Sequence, residues 1–291
     1  MRSTFPILSL LIGAASAFRP SSLPSLRPAS LSRLRTPAQN RRPSSNMLLR
    51  MQTPTLIEQQ TKDDKAEVAE YFNTVGFDRW NKIYSESTEV NKVQLDIREG
   101  HQQTVDRVLQ WLDQDRAGKP LTESVCDAGC GVGSLSLPLL ERGASVYATD
   151  ISAAMVEEAE ARAKSLLVNG GHRRGRFETK DLESLGGSYD TVMCIDVMIH
   201  YPTEKMEEMV MKLASLADRR LIISFAPDTW YYSLLKKVGE FFPGPSKTTR
   251  AYLHEEGRVK AALAKAGFTV RRDHMTATNF YFSRLFEAVR Q

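Results

Sequence analysis

The first residues whose types and spacing suggest chemistry are Val125-Cys126-Asp127-Ala128-Gly129-Cys130-Gly131-Val132-Gly133. A short apolar run ends in an acid and is followed by three glycines at alternate positions. Glycines in such a turn let the backbone approach a ligand closely and take φ > 0 where needed. The pattern overlaps the dinucleotide fingerprint G-x-G-x-x-G. Ser134 stands where the third fingerprint glycine would fall, which argues against a nicotinamide oxidoreductase. Asp150 closes the next apolar run, 17 residues past Gly133. A carboxylate there can accept bonds from both hydroxyls of a ribose. Cys126 and Cys130 form C-x3-C with no His pair nearby, a poor zinc signature. With Cys194 they read as packing residues, and no metal is expected. Residues 230–252 form an aromatic and basic stretch.

These residues need elements to hold them. Short apolar runs at 124–128, 145–149, 176–179, 189–195, 220–225, 268–273 and 280–289 read as seven strands. Helical spacing marks 62–71, 90–112, 134–142, 152–167, 203–217 and 255–266, with Ser152 as an N-cap and Gly267 as a stop. Strands alternating with helices imply a doubly wound, mostly parallel sheet. Such a sheet binds ligands at the carboxyl ends of its strands, near the reversal of strand order. Residues 71–84 carry Phe72, Phe77 and Trp80 outside this alternation, as an aromatic-rich arm. The division expected is an N-terminal arm and cap over 58–117 and a main domain over 118–291, interrupted by an insertion at 227–253.

Charge separates the chain further. It holds 39 Lys and Arg against 35 Asp and Glu, a net charge of +4. Residues 1–57 contain eight Arg and no Lys, Asp or Glu; without those eight, 31 basic residues face 35 acidic ones, a net charge of −4. A nucleic-acid role drawn from overall basicity therefore fails. Residues 1–17 read as a signal peptide: Arg2, an apolar run, then Ala15-Ser16-Ala17. Residues 18–57, rich in Ser, Pro and Arg and free of acids, read as a transit segment. Joined at Phe18, the two resemble the bipartite presequence of algae with complex plastids. Peripheral contact with a plastid membrane fits a chain whose longest apolar run is too short to span a bilayer.

Asp127, two places before Gly129 in D-x-G-x-G-x-G, resembles motif I of the S-adenosylmethionine-dependent methyltransferases. Asp150 and Asp181-Leu182 fall at two further positions of that pattern. The resemblance implies a Rossmann-like class I methyltransferase fold, α/β, with a seven-stranded, mostly parallel sheet flanked by helices. It implies S-adenosyl-L-methionine as cofactor, held by Asp127, Gly129, Cys130, Gly131, Gly133, Asp150, Ile151, Met155, Asp181 and Leu182, with Arg98 at its carboxylate. More narrowly, residues 71–84, 90–101, 150–155, 199–202, 241–247 and 280–284 are similar to the magnesium-protoporphyrin IX methyltransferases of chlorophyll synthesis. That resemblance runs from about Glu67 to the C-terminus and implies methyl transfer to the 13-propionate carboxylate of magnesium protoporphyrin IX. The porphyrin-binding subunit of magnesium chelatase is the partner it makes plausible.

The residues suit such a task. A propionate is ionised at neutral pH and is itself the nucleophile. A strong cation on the reacting oxygen would stabilise the ground state more than the transition state. Neutral groups serve better: His200, just past the fourth strand, and Tyr84, in the arm, are the candidates for orienting the carboxylate. Trp230, Tyr231 and Phe242 offer flat apolar surface for the macrocycle, and Lys247 and Arg250 charge for the propionate that does not react. The same aromatics can be ordinary packing and the cations a solvated face. From another class, the chain could be a non-catalytic tetrapyrrole carrier. An intact motif I with Asp150 and Asp181 speaks against that.

Overall fold

The computed structural model describes residues 66, 68–84, 90–167, 170–228 and 252–291. Helical turns over 68–73 lead into α1 (Val75–Ile83) and then α2 (Lys92–Arg116). The sheet follows as β1 (Ser124–Ala128), β2 (Ser145–Asp150), β3 (Gly175–Thr179), β4 (Tyr189–Cys194), β5 (Ala217–Phe225), β6 (Phe268–Ala277) and β7 (Phe282–Arg290). Helices α3 (Ser136–Glu141), α4 (Ala153–Leu166), α5 (Thr203–Leu216) and α6 (Glu256–Lys265) connect them. Strand order is β3-β2-β1-β4-β5-β7-β6, and only β7 runs antiparallel to its neighbours. Chain order reverses between β1 and β4, which pair in parallel with Cys126 beside Val192. This is the seven-stranded arrangement expected.

Two apolar layers cover the sheet. On one side Met206, Met209, Val210 and Leu213 of α5 and Val259 and Leu263 of α6 pack on Val192, Leu221, Ile223 and Phe286. On the other, Val105, Val108, Trp111 and Leu112 of α2 join Leu139, Leu140, Val125, Ile222 and Leu285. Helix α2 thus belongs to the core of the sheet. Of the described residues before 118, those preceding Lys92 form the helical turns and α1, and α2 follows.

Several boundaries differ from expectation for local reasons. Asn91 and Gln94 form a capping box that opens α2. The helix runs on to Arg116 because Asp113 pairs there with Arg116 and Arg142. Helix α3 is shorter than 134–142 because residues up to Leu135 are taken up by the glycine turn. β6 continues past Asp273 to Ala277. As an edge strand it keeps charges on its open side, and Asp273 meets Arg284 of β7 at 2.8 Å. The presequence segments at 1–57 and most of the insertion lie outside the described residues, and with them Trp230, Tyr231, Phe242, Lys247 and Arg250.

Candidate active site

A cavity of about 580 Å3 opens at the carboxyl ends of β1, β2 and β4, where the strand order reverses. Its size is ordinary for a small-molecule site. The glycine turn forms one wall. Gly129 N and Cys130 N donate to Thr149 O at 2.7 and 2.8 Å, so β2 holds the turn open. Gly131 has φ +51°, and a Cβ there would meet nothing within 4 Å, so its backbone borders open space. A Cβ on Gly133 would instead strike Leu137 at 2.3 Å, and Gly133 does not line the cavity. One glycine faces the cavity and the other lets a helix pack.

Asp150 joins the turn to the second strand. Its Oδ2 accepts from Gly131 N at 3.0 Å and its Oδ1 from Ser152 N at 2.9 Å. Burial raises its pKa despite those bonds. Ser152 caps α4 as expected, accepting from Met155 N. Ile151, Met155 and Leu182 line the cavity. Asp181 does not. It caps the short turn Leu182–Ser184, between the lining residues Lys180 and Leu182. Asp127 is 2% exposed, and burial lifts its pKa to about 6 against the bond from Ser136 Oγ at 2.5 Å. Cys130 lines the wall, its thiol pushed well up by burial.

His200 and Tyr84 both reach this cavity. His200 ends a single helical turn, Met198–His200, anchored from below by His254 Nε2 on Met198 O at 2.9 Å. Burial drives its pKa down to about 4, with Asp196 opposing, so the ring is neutral at pH 7. Tyr84 stacks on Trp80 (5.4 Å between centroids) and tilts against His101 (4.4 Å). Burial, with Asp196 and Asp150 nearby, keeps it a neutral phenol. The arm that supplies Phe72, Trp80 and Tyr84 is tied to α4. Asn73 Oδ1 accepts from Ala154 N at 3.4 Å, and Arg162 donates to Tyr84 O and Asn81 Oδ1. Arg98, expected at a cofactor carboxylate, does not line the cavity. Its guanidinium donates to Ile83 O and Lys82 O, both at 2.6 Å, closing the end of α1.

Sequence reasoning missed a polar cluster on the opposite wall. Asp196 follows β4 with φ +61°, a backbone setting rare for residues other than glycine. Its carboxylate accepts from Tyr281 OH at 2.8 Å and Ser224 Oγ at 2.9 Å and meets His101 Nδ1 at 2.7 Å. Burial would raise its pKa, but those bonds outweigh it and hold it below the usual value. One signal was available: Gly100 inside a helix, where glycine costs stability. A Cβ there would strike the Tyr281 ring at 2.4 Å. Arg79, from the arm, also lines the cavity with its Nε buried and unpartnered among the described residues.

The donor set suits a nucleoside that carries positive charge. Gly131 gives a backbone cradle, Asp150 an acceptor-only carboxylate, and Asp127 and Asp196 further acidity, against Arg79 and Lys180. Among the described residues no group of three or more His, Cys, Asp or Glu is placed to hold a metal ion. A family model described as "Magnesium-protoporphyrin IX methyltransferase C-terminus" matches residues 194–290, and a methyltransferase-domain model matches 125–218. The chain is 57% identical over 226 residues to the chloroplastic magnesium protoporphyrin IX methyltransferase of Arabidopsis thaliana, covering 78% of this chain and 71% of that one. It is 57% identical over 228 residues to the magnesium-protoporphyrin O-methyltransferase of Synechocystis, with 78% and 97% covered. The crystal structure of a Synechocystis magnesium protoporphyrin IX methyltransferase with bound S-adenosylhomocysteine superposes with a TM-score of 0.72 at 54% identity, covering 78% of this chain and all of that one. The chain belongs to the magnesium-protoporphyrin IX methyltransferase family of S-adenosylmethionine-dependent enzymes.

Proposed function

We propose that this chain transfers a methyl group from S-adenosylmethionine to the 13-propionate carboxylate of magnesium protoporphyrin IX, giving the 13-monomethyl ester in chlorophyll synthesis. One observation carries the reading beyond family membership. A single cavity joins a nucleoside-type half at Gly131 and Asp150 to an apolar half walled by Ile97, Ile199, Phe225 and Phe280. A charged donor and a flat apolar acceptor can thus meet in one cavity.

The cofactor supplies a methyl group already activated by its sulfonium. The chain's own residues position and desolvate. Asp150 accepts from the ribose hydroxyls, with Ile151, Met155 and Leu182 against the base and Asp181 near its amino group. Neutral His200 and Tyr84 hold the propionate in line without trapping it as an ion pair. Alignment and exclusion of water can together lower a barrier by roughly 7–11 kcal/mol. Arg79 is a cation for the second propionate from within the described residues. The insertion residues Trp230, Tyr231, Phe242, Lys247 and Arg250 are proposed to extend the porphyrin surface.

The chain is proposed to act in a plastid, as its chloroplastic Arabidopsis relative does, reached through the bipartite presequence of residues 1–57. No helix among the described residues is long and apolar enough to cross a membrane, and the membrane contact proposed is peripheral. The porphyrin-binding subunit of magnesium chelatase is the proposed donor of substrate. Incubation with methyl-labelled S-adenosylmethionine and magnesium protoporphyrin IX, then chromatography and NMR of the product, tests the reaction. Label in an ester at the 13-propionate supports it. Label elsewhere, or none, refutes it.

A further inference from the structure

We propose that His101 is the base that keeps the substrate carboxyl group ionised in the cavity, with Asp196 as the residue that positions it. The inference rests on the carboxyl-methylation reading above. Asp196 accepts only, so in the neutral ring the short contact to Nδ1 places the hydrogen there. Nε2 is then a bare lone pair. It is buried, has no hydrogen-bond partner among the described residues, and belongs to a side chain that lines the cavity. A buried, unsatisfied nitrogen costs stability unless something fills it.

The surroundings are built to fix this ring. Asp196 takes a strained backbone conformation to reach it. Tyr281 OH bridges Asp196 and Thr104, the latter at 3.0 Å, and Gly100 makes room for Tyr281. Asp96 in turn holds the loop before β7 by accepting from Thr278, Asn279 and Phe280. The charged and titratable groups facing the ring are Asp196 after β4, Asp127 in β1, Tyr84 from the arm and Tyr281 before β7. Asp150, His200 and Arg79 share the cavity.

A carboxyl group drawn into this apolar, acid-rich space is driven toward its protonated form. A protonated acid is a poor nucleophile. His101 Nε2 takes that proton, and Asp196 at 2.7 Å cancels the charge gained, so the freed carboxylate faces a neutral His–Asp pair rather than a lone cation. The freed carboxylate oxygen then bonds to the methyl carbon as the carbon–sulfur bond breaks, with its electron pair going to sulfur. The ester leaves, and Nε2 returns its proton to water.

The test is the pH dependence of the single-turnover rate in His101→Gln, with affinity for S-adenosylhomocysteine as the check on folding. At pH 7 the rate falls about 100-fold, at the lower end for a general base, and the loss shrinks toward pH 9 as the solvent deprotonates the acid. A loss that is constant from pH 6 to 9, or no loss, overturns the proposal. Asp196→Asn gives a smaller loss of the same pH-dependent shape; a pH-independent loss removes its positioning role. If His101→Gln does not fold, the wild-type enzyme decides. With 15N-histidine, adding magnesium protoporphyrin IX to the S-adenosylhomocysteine complex protonates His101 Nε2. A nitrogen that stays unprotonated overturns the proposal. Wild-type enzyme that yields no ester refutes the methylation reading instead, which keeps the two failures apart.

Discussion

Helix α2 carries two polar clusters, one at each end of the sheet, and they are built on opposite rules. At the amino ends of the parallel strands, Asp115, Glu123 and Glu287 meet Arg220, Arg271 and Arg272. Arg220 reaches Asp115 at 3.1 Å, Glu123 at 3.0 Å and Glu287 at 3.3 Å, and Arg272 adds Glu287 at 2.5 Å and Asp115 at 2.8 Å. With Arg219 also 3.9 Å from Glu123, every acid of the cluster has at least two arginine partners. Fourteen residues back along the helix, about 21 Å by helical rise, His101 faces Asp196 with its second nitrogen open. Among the described residues, acids outnumber cations around that cavity. Charge closed on itself holds the sheet to α2. Charge left open awaits a ligand, and a cationic cofactor is the kind that would complete it.

If that division is right, mutations in the two clusters fail differently. The largest effect is expected from Glu287→Gln. It leaves Arg220 and Arg272 short of a buried partner, which costs roughly 3–5 kcal/mol. Denaturant unfolding should show that loss, while S-adenosylhomocysteine binding per folded molecule stays unchanged. Weakened binding at full stability would erase the distinction. Asp150→Ala should do the reverse. Two charge-assisted bonds to a ribose disappear, together about 3 kcal/mol or roughly 100-fold in cofactor Kd. The stability loss should be smaller than that of Glu287→Gln: Gly131 N and Ser152 N lose an acceptor, but the burial cost of the carboxylate is relieved. Calorimetry checks the affinity, and an unchanged Kd would remove Asp150 from the site.

His200 sharpens the contrast through pH. Its folded pKa, about 4, lies below the ordinary value of about 6.5, so the unfolded chain binds a proton first as the solution is acidified. Its contribution is therefore whole above pH 6.5 and is lost as pH falls toward 4, by about 2–3 kcal/mol at pH 4.5. His200→Gln should reduce the stability difference between pH 7 and 4.5 by that amount. An unchanged difference would mean that the ring is hydrated rather than buried.

The open cluster was also the part the sequence concealed. Gly131, Asp150 and Leu182 were legible because each stands at or just past a strand end, at a spacing one can count. His101 and Asp196 are 95 residues apart, and Asp196 and Tyr281 85. No local pattern joins them; only the pairing of β4, β5 and β7 brings them together. The seven strands were readable because buried parallel strands are continuous apolar runs. Arg98, read as a contact for the cofactor carboxylate, also donates to the carbonyls at the end of α1, partners that no local pattern announces. The boundary of β6 misled because charges on an edge strand do not end it.

The smallest expected effect is also the most discriminating. Tyr84→Phe removes one oxygen and keeps the ring that stacks on Trp80 and leans on His101. If Tyr84 only packed the arm, neither stability nor rate should move. If its phenol steadies the propionate in the transition state, the loss is one hydrogen bond, about 1–1.5 kcal/mol, or roughly a tenfold fall in kcat. KM for the porphyrin and Kd for S-adenosylhomocysteine should then stay within about twofold, since an interaction made only in the transition state lowers kcat and kcat/KM together. A rise in KM at constant kcat would assign Tyr84 to ground-state binding. The amino-end cluster sets the scale: losing one charge there should destabilise the fold, whereas losing one oxygen here should slow the enzyme and leave its stability unchanged.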